Sequence, residues 1–456
     1  MDGDEQHDEC PNCRRLQARI DELEERIRRL EALLEQSQRA GKRQAAPFSK
    51  REPKASSKKP GRKSGDEYGT HQRRAVPDEV DEEYDAPLPE CCPHCRGRTF
   101  RDERVCQQFQ YEIPRKPLVR RFDIHVGTCV ECGCRVHGRH DLQTSDAIGA
   151  AAVQLGADAH AALSILNKQF GLSHAKNASV LERLFGVRIN RSTSPRSILR
   201  TARRLKTAHQ EIRDHVRGSP VIACDETGWR IGGVKAWLHV SVAEKATCYE
   251  VAHTRDHTVL EGQIGLDYSG TLIHDGWAVY DRFTEAIHQQ CVAHILRRAR
   301  DLAESATRSA AQFPRQIVDL FGRALSVRDR FRAGRISSQT MGSRGLTLMD
   351  ELGRLTRHPK RNAANDRLAR HLFAHLGEWF LFLFDPMVEA TSNRAEQAIR
   401  PAVVNRKVWG GNRTDAGADA QSILMSVIFT CHRNSTNVLE FLSNTLRSTR
   451  PIPLLT

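Results

Sequence analysis

The chain has 456 residues, 39% of them hydrophobic, with 70 Lys plus Arg against 56 Asp plus Glu, giving a formal net charge of +14. At roughly 100–200 residues per domain, this length implies two to four domains with apolar content enough for a core. The charge makes an acidic partner the expectation, nucleic acid first, with a merely soluble basic protein as the plain alternative.

The acidic, polar N-terminus "MDGDEQHDEC" has no basic segment followed by an apolar run, which argues against a signal peptide. The 13 cysteines are therefore expected to be reduced, and paired ones point to metal rather than disulfides.

Residues 1–40 hold a heptad seam: Leu16, Ile20, Leu23, Ile27, Leu30 and Leu34 alternate steps of four and three, flanked by Glu and Arg. A self-associating coiled coil is favoured over one amphipathic helix packed on its own protein. Residues 41–90 read as a linker, first basic ("KREPKASSKKPGRKS") and then acidic ("DEVDEEYDAPLPE"). The basic part suits either an arm along phosphates or a solvated spacer.

Residues 91–140 carry seven cysteines. Cys92 and Cys95 form one CxxC pair, and Cys129 and Cys132 form another. Four thiolates close a tetrahedral shell, which predicts a structural zinc in a ribbon-like domain. Cys91 and Cys134 flank the pairs as substitute ligands, and His94, His137 and His140 are weaker ones. The lone Cys10–Cys13 pair cannot fill a shell by itself and reads as two exposed thiols unless two copies combine.

Residues 141–215 look helical. The most apolar long window, 147–166, contains Asp158 and His160 and reads as a buried helix or helix pair rather than a membrane span. Further on, Gly186 and Pro195 are expected to break short helices; a helix-turn-helix and a plain helical bundle both fit. From 219 the texture turns β-rich, in "PVIACDE", "AWLHVSV", "TCYEVAH" and "GTLIHD". "HQQCVAH" and a long Arg-rich helical region to about 384 follow, then C-terminal helices.

Two aspartates follow apolar runs at expected strand ends, Asp225 in "VIACDET" and Asp275 in "GTLIHDGW". On neighbouring strands they bring hard oxygen ligands to one site, suited to Mg²⁺ or Mn²⁺ in phosphoryl transfer. The plain alternative is a turn or cap role for each. The third acid that such chemistry needs is sought in "ATSNRAEQAIRPAVVNRK". There Asn393, Glu396 and Arg400 share one helical face, with Ser392 or Asn393 as cap and Pro401 limiting the helix. A Gly-containing loop suited to phosphate is expected in "NRKVWGGNRT". Glu226, Asp281 and Glu389 are the competing acids; Glu226 is expected on the opposite side of the strand from Asp225.

The segments "ACDET", "HDGW" followed by "YDRF", "HQQCVAHILRRARDL" and "TSNRAEQAIRPAVVNRKVWGGNRTDAGA" resemble the transposases of the insertion sequence 66 family, in the DDE superfamily. The resemblance covers nearly the whole chain. It is most specific over 388–417 and weaker over 141–200. It implies an α/β, ribonuclease H-like core with a helical insertion, preceded by a coiled coil, a zinc-ribbon-like domain and a helical DNA-binding region. The core's first part is 216–300, the insertion 301–388 and the second part 389–456.

It further implies Asp225, Asp275 and Glu396 as catalytic ligands of Mg²⁺ (or Mn²⁺), with Arg394, Arg400, Arg406, Lys407 and Arg413 contacting DNA. His288, Cys291 and His294 match a family segment and are read as lining the site, not as zinc ligands. The implied activity is cutting of insertion-sequence ends and joining to target DNA. The alternatives are a catalytically inactive DNA-binding regulator and a nuclease without strand transfer. Implied partners are terminal inverted repeats, target DNA, further copies of the chain in a homodimer or higher oligomer, and small accessory proteins, with no membrane; the implied place is the bacterial cytoplasm, at the nucleoid.

Overall fold

The computed structural model describes residues 19–20, 22–27, 29–31, 77–85, 89–90, 94–98, 107–111, 117–147, 154–306 and 309–455. The basic arm and Cys10, Cys13, Cys91 and Cys92 lie outside the described residues. The chain divides into two units, Met1–Ile113 and Pro114–Thr456.

In the first unit, the described residues between 19 and 31 are helical. Ile20, Leu23, Ile27 and Leu30, four members of the heptad seam, are all exposed on that helix. Cys95 is exposed too.

The second unit begins with a small antiparallel pair, β1 (Val126–Thr128) and β2 (Arg135–His137). It frames the second cysteine pair: the Cys129 amide donates to the Cys134 carbonyl (2.9 Å) and the Gly133 amide to the Cys129 carbonyl (2.9 Å). Hydrogen bonds from Cys134 and Cys129 hold the exposed Cys132 thiol below its usual range.

Four helices follow: α1 (Ala157–Lys168), α2 (His174–Phe185), α3 (Thr193–Arg204) and α4 (Lys206–Arg217). Gly186 ends α2 in the left-handed conformation (φ 67°), as a C-terminal cap does. Pro195 breaks nothing. It lies in the first turn of α3, where a missing amide proton leaves no hydrogen bond unmade. His160 is buried, its Nδ1 2.6 Å from the Ser197 hydroxyl, so the apolar window does supply a buried helix from 157 on.

The centre is a mixed five-stranded sheet of β3 (Val221–Ile231), β4 (Val234–Val242), β5 (Thr247–Ala252), β6 (Thr271–His274) and β7 (Ile287–Gln290), in the order β5-β4-β3-β6-β7. The first three are antiparallel, and β6 and β7 join parallel. A mixed sheet of this kind among helices is compatible with the expected DDE-type α/β core. Helix α5 (His257–Ile264) connects β5 to β6.

Beyond β7 come α6 (Val292–Ser305), α7 (Gln312–Arg332), α8 (Ser338–Thr356) and α9 (Ala363–Ala374), then α10 (Asn393–Trp409), α11 (Asp415–Arg433) and α12 (Val438–Arg447).

Strand alternation sorts the core into two clusters, one on each face of the sheet. Ala223, Val240 and Ile273 pack with α6 to α10, whereas Ile222, Cys224 and Leu272 pack with α4, α5, α11 and α12. The edge strand β5 is capped by hydroxyls. Ser422, Ser426 and Thr430, spaced one turn apart on α11, accept the amides of Val251 (2.9 Å), Tyr249 (2.8 Å) and Thr247 (3.0 Å). Those amides would otherwise offer a free ladder to another chain. Among the described residues, no helix is long and apolar enough to cross a membrane.

Candidate active site

Asp225 is not at a strand end. β3 continues six residues beyond it, paired antiparallel with β4, with Asp225 opposite Val240. What ends before Asp225 is the parallel ladder to β6, whose last pair is Ala223 with Ile273. The strand β6 itself ends at His274, where a turn begins. Asp275 begins that turn, and its Oδ1 accepts the Trp277 amide (3.0 Å). By alternation, Asp225 has the parity of Ala223 and Asp275 that of Ile273, so both belong to the face covered by α10.

Helix α10 places Glu396 in its first turn. Ala395, Ala398, Ile399 and Ala402 bury one side of it against the sheet, leaving Glu396 half-buried and Arg400 exposed. Ser392 is the N-terminal flanking residue but makes no side-chain cap; its amide donates instead to the Cys291 Sγ at 3.3 Å. Pro401 does not limit the helix, which runs on to Trp409. One lost backbone bond, worth about 3 kcal/mol with the associated clash, is outweighed by the buried side chains on either side of the proline.

The expected phosphate loop is correspondingly shorter. Arg406 and Lys407 lie in the last helical turn, and the loop starts at Gly410 (φ 81°). Gly411 (φ 113°) approaches β3 so closely that a Cβ there would stand 2.5 Å from the Arg230 carbonyl oxygen. Asn412 locks the loop down: its amide donates to the Arg230 carbonyl (2.9 Å) and its Oδ1 accepts the Trp229 indole N–H (2.7 Å).

Asp225 senses its surroundings. Burial first, then the charges of Glu226, Asp275 and Glu396, push Asp225 up to about 7. Glu226 points to the other face, where Arg255 holds it through two guanidinium nitrogens, Nε at 3.1 Å and Nη2 closer still. Arg255 is itself stacked between Trp237 (4.8 Å) and Trp277 (4.1 Å). Burial raises Glu226 as well, with Asp275 adding to the effect. Of the competing acids, Glu389 is engaged by Arg394 at 3.2 Å.

Cys291 and His294, expected to line the site, come together with Glu396, a partner that sequence reasoning did not give them. Among the described residues, the His, Cys, Asp and Glu side chains whose ligand atoms all lie within 4.8 Å of one another are Cys291, His294 and Glu396. The two aspartates and Glu396 do not draw that close together. Burial alone would raise the Cys291 thiol, but hydrogen bonds from His294 and Ser392 bring it below its usual range. The signal was present as Cys291 and His294 three residues apart; nothing local tied them to Glu396, 102 positions after His294 (396 − 294).

At the other end of α10 the charges are positive. Burial lowers Arg406, with Arg230 adding to it. Lys168, buried at the end of α1, is brought down to about 7 by burial and donates to the Gln421 Oε1 at 2.6 Å. His174 is lowered to about 4 by burial and by the charges of Lys168, Arg191 and Arg413.

A half-buried Asp225, raised by burial and by neighbouring carboxylates on a mixed α/β sheet, defines the class of acidic-centre proteins suited to a hard divalent cation. Carboxylate oxygens are the donors that Mg²⁺ and Mn²⁺ prefer, and the like charges need a counter-ion, so these residues fit such a metal. The model of the family described as Transposase IS66 family matches residues 152–420, which is 420 − 152 + 1 = 269 of the 456. The chain belongs to that family. No curated protein matches it.

Proposed function

We propose that the chain is a DNA transposase that cuts insertion-sequence ends and joins them to target DNA. The observation that carries this reading is Asp225, raised to about 7 on the face shared with Asp275 and Glu396 and sensitive to both of their charges. In this reading Asp225, Asp275 and Glu396 would hold two Mg²⁺ or Mn²⁺ ions. When bound, the metals supply Lewis-acid stabilisation of the attacking and leaving oxygens.

The chain's own groups do the rest. Asp225 gives up its proton when the centre fills. Arg400, one turn beyond Glu396 on the exposed face, holds a DNA phosphate, and Arg406, Lys407 and Arg413 hold the backbone further on. Arg394 serves the same surface while restrained by Glu389. The Cys129–Cys134 turn supports a structural zinc, with Cys129 and Cys132 as two ligands; Cys92 and Cys95 are proposed from their spacing alone. Self-association through the exposed heptad seam, and accessory proteins, complete the proposal.

The test is nicking and strand joining on the element's terminal repeats with Mg²⁺ or Mn²⁺. Wild-type protein nicks and joins, and Asp225→Asn and Glu396→Gln do neither. Binding without cleavage by the wild type would overturn the proposal in favour of a regulator. Cleavage without joining would reduce it to a nuclease.

A further inference from the structure

The Cys291–His294–Glu396 grouping is built where two helices begin. Cys291 is the N-terminal flanking residue of α6, and His294 lies in the first turn of that helix. Glu396 lies in the first turn of α10. The two helix starts are clasped together: the Val292 amide donates to the Ala390 carbonyl (2.9 Å), and the Ser392 amide to the Cys291 Sγ. The Cys291 amide is in turn tied to the His274 carbonyl at 2.7 Å, at the end of β6.

The three side chains therefore meet through main-chain contacts. A helix start favours an anionic group, so both the thiolate and the carboxylate are stabilised where they stand. An amide donating to sulfur also favours the thiolate.

His294 Nδ1 is 3.8 Å from a Glu396 carboxylate oxygen, too far for a hydrogen bond. Cys291 is buried, while His294 and Glu396 are about one-third exposed, at 32% and 36%. The grouping is thus closed behind the sulfur and at His294 Nδ1, which is buried, while the two side chains keep part of their surface in solvent.

We propose that Cys291, His294 and Glu396 form a site for a borderline-soft divalent cation of the zinc class. Sulfur, nitrogen and oxygen donors in this combination suit Zn²⁺ or Co²⁺ rather than Mg²⁺. Bond lengths of about 2.0–2.3 Å place tetrahedral ligand atoms roughly 3.3–3.8 Å apart, so a set already within 4.8 Å closes by about an ångström. Three protein ligands leave a fourth position for solvent. Occupancy takes Glu396 away from the centre shared with Asp225 and Asp275, making zinc an inhibitor. This second half rests on the proposed role of Glu396; the binding itself does not.

The test uses the full metal-free chain titrated with Co²⁺, reading the thiolate-to-cobalt absorption and the number of ions bound. Wild type binds one more Co²⁺ than Cys291→Ser, with a correspondingly stronger thiolate band. Glu396→Gln, a half-exposed change that spares the core, weakens that ion by about tenfold or more. Equal stoichiometry and equal bands in all three proteins would overturn the site, and the Glu396→Gln result decides even if Cys291→Ser misfolds.

Zinc is then added to Mg²⁺-supported nicking, each protein compared with its own zinc-free rate. Inhibition of wild type but not of Cys291→Ser is expected. Cobalt binding without zinc inhibition overturns the second half. Cobalt binding by a wild type that never nicks overturns the proposed function and leaves the site standing.

Discussion

The two ends of α10 carry opposite electrostatic imbalances. At its start, burial first and then the charges of Glu226, Asp275 and Glu396 hold Asp225 up at about 7. Around its end, burial holds Arg406 low and Lys168 at about 7, and no acid appears among the causes of either shift. A helix dipole alone does not produce this. It favours negative charge at the start and positive charge at the end, whereas the shifts at both ends come first from burial. In the proposed reading, the acidic end faces a cation and the basic end a polyanion. The 17 residues of Asn393–Trp409 hold the two a fixed distance apart.

The largest effect tests the acidic end. Asp225→Asn should lower the metal-dependent cleavage rate by about a thousandfold or more, the scale of several kcal/mol of charge stabilisation, while leaving DNA affinity unchanged. Rates and gel-shift affinities measured on one preparation separate the two. A variant that cleaves at the wild-type rate would remove Asp225 from the centre.

Next, pH. The folded-state value of Asp225, about 7, lies above the unfolded value of about 3.9. The stability this gives is complete below the unfolded value and is lost as pH rises through 7. Metal-free wild type should therefore lose on the order of 2–4 kcal/mol relative to Asp225→Asn between pH 4 and 8, measured by urea unfolding. Parallel curves would mean that burial and its neighbours do not raise Asp225 as described.

The basic end reverses the sign. Lys168, at about 7 when folded and about 10.4 when unfolded, penalises folding fully below pH 7, and the penalty fades as pH rises towards 10. Lys168→Met should be more stable than wild type at pH 6, its advantage shrinking by pH 9. An advantage independent of pH would indicate packing rather than charge.

Arg406→Ala should weaken DNA binding by about tenfold and reduce the salt slope by about one, read from affinities at several salt concentrations. Smallest is Glu389→Gln, which removes a half-exposed pair with Arg394 and should change stability by less than about 1 kcal/mol and cleavage hardly at all. A large loss of cleavage there would move the third acid seven residues upstream.

Much of this was legible in the chain itself. The apolar runs around Asp225 and Asp275 located β3 and β6, because strands announce themselves by local composition. The long Arg-rich stretch yielded α6 to α9 for the same reason. Motif residues placed Glu396 on a helix with Arg400 on its exposed face. Pro401 and Pro195 misled, since a proline's effect depends on how much burial surrounds it and on which turn it occupies.

Only the tertiary structure decided the rest. Whether Asp225 ends a strand depends on where β6 stops pairing. The hydroxyls of Ser422, Ser426 and Thr430 acquire meaning only against β5, more than 170 residues earlier. The meeting of Cys291, His294 and Glu396 requires two helix starts to be clasped together. Local sequence sets periodicity and propensity; which charges end up uncompensated beside one another is fixed only when distant segments pack.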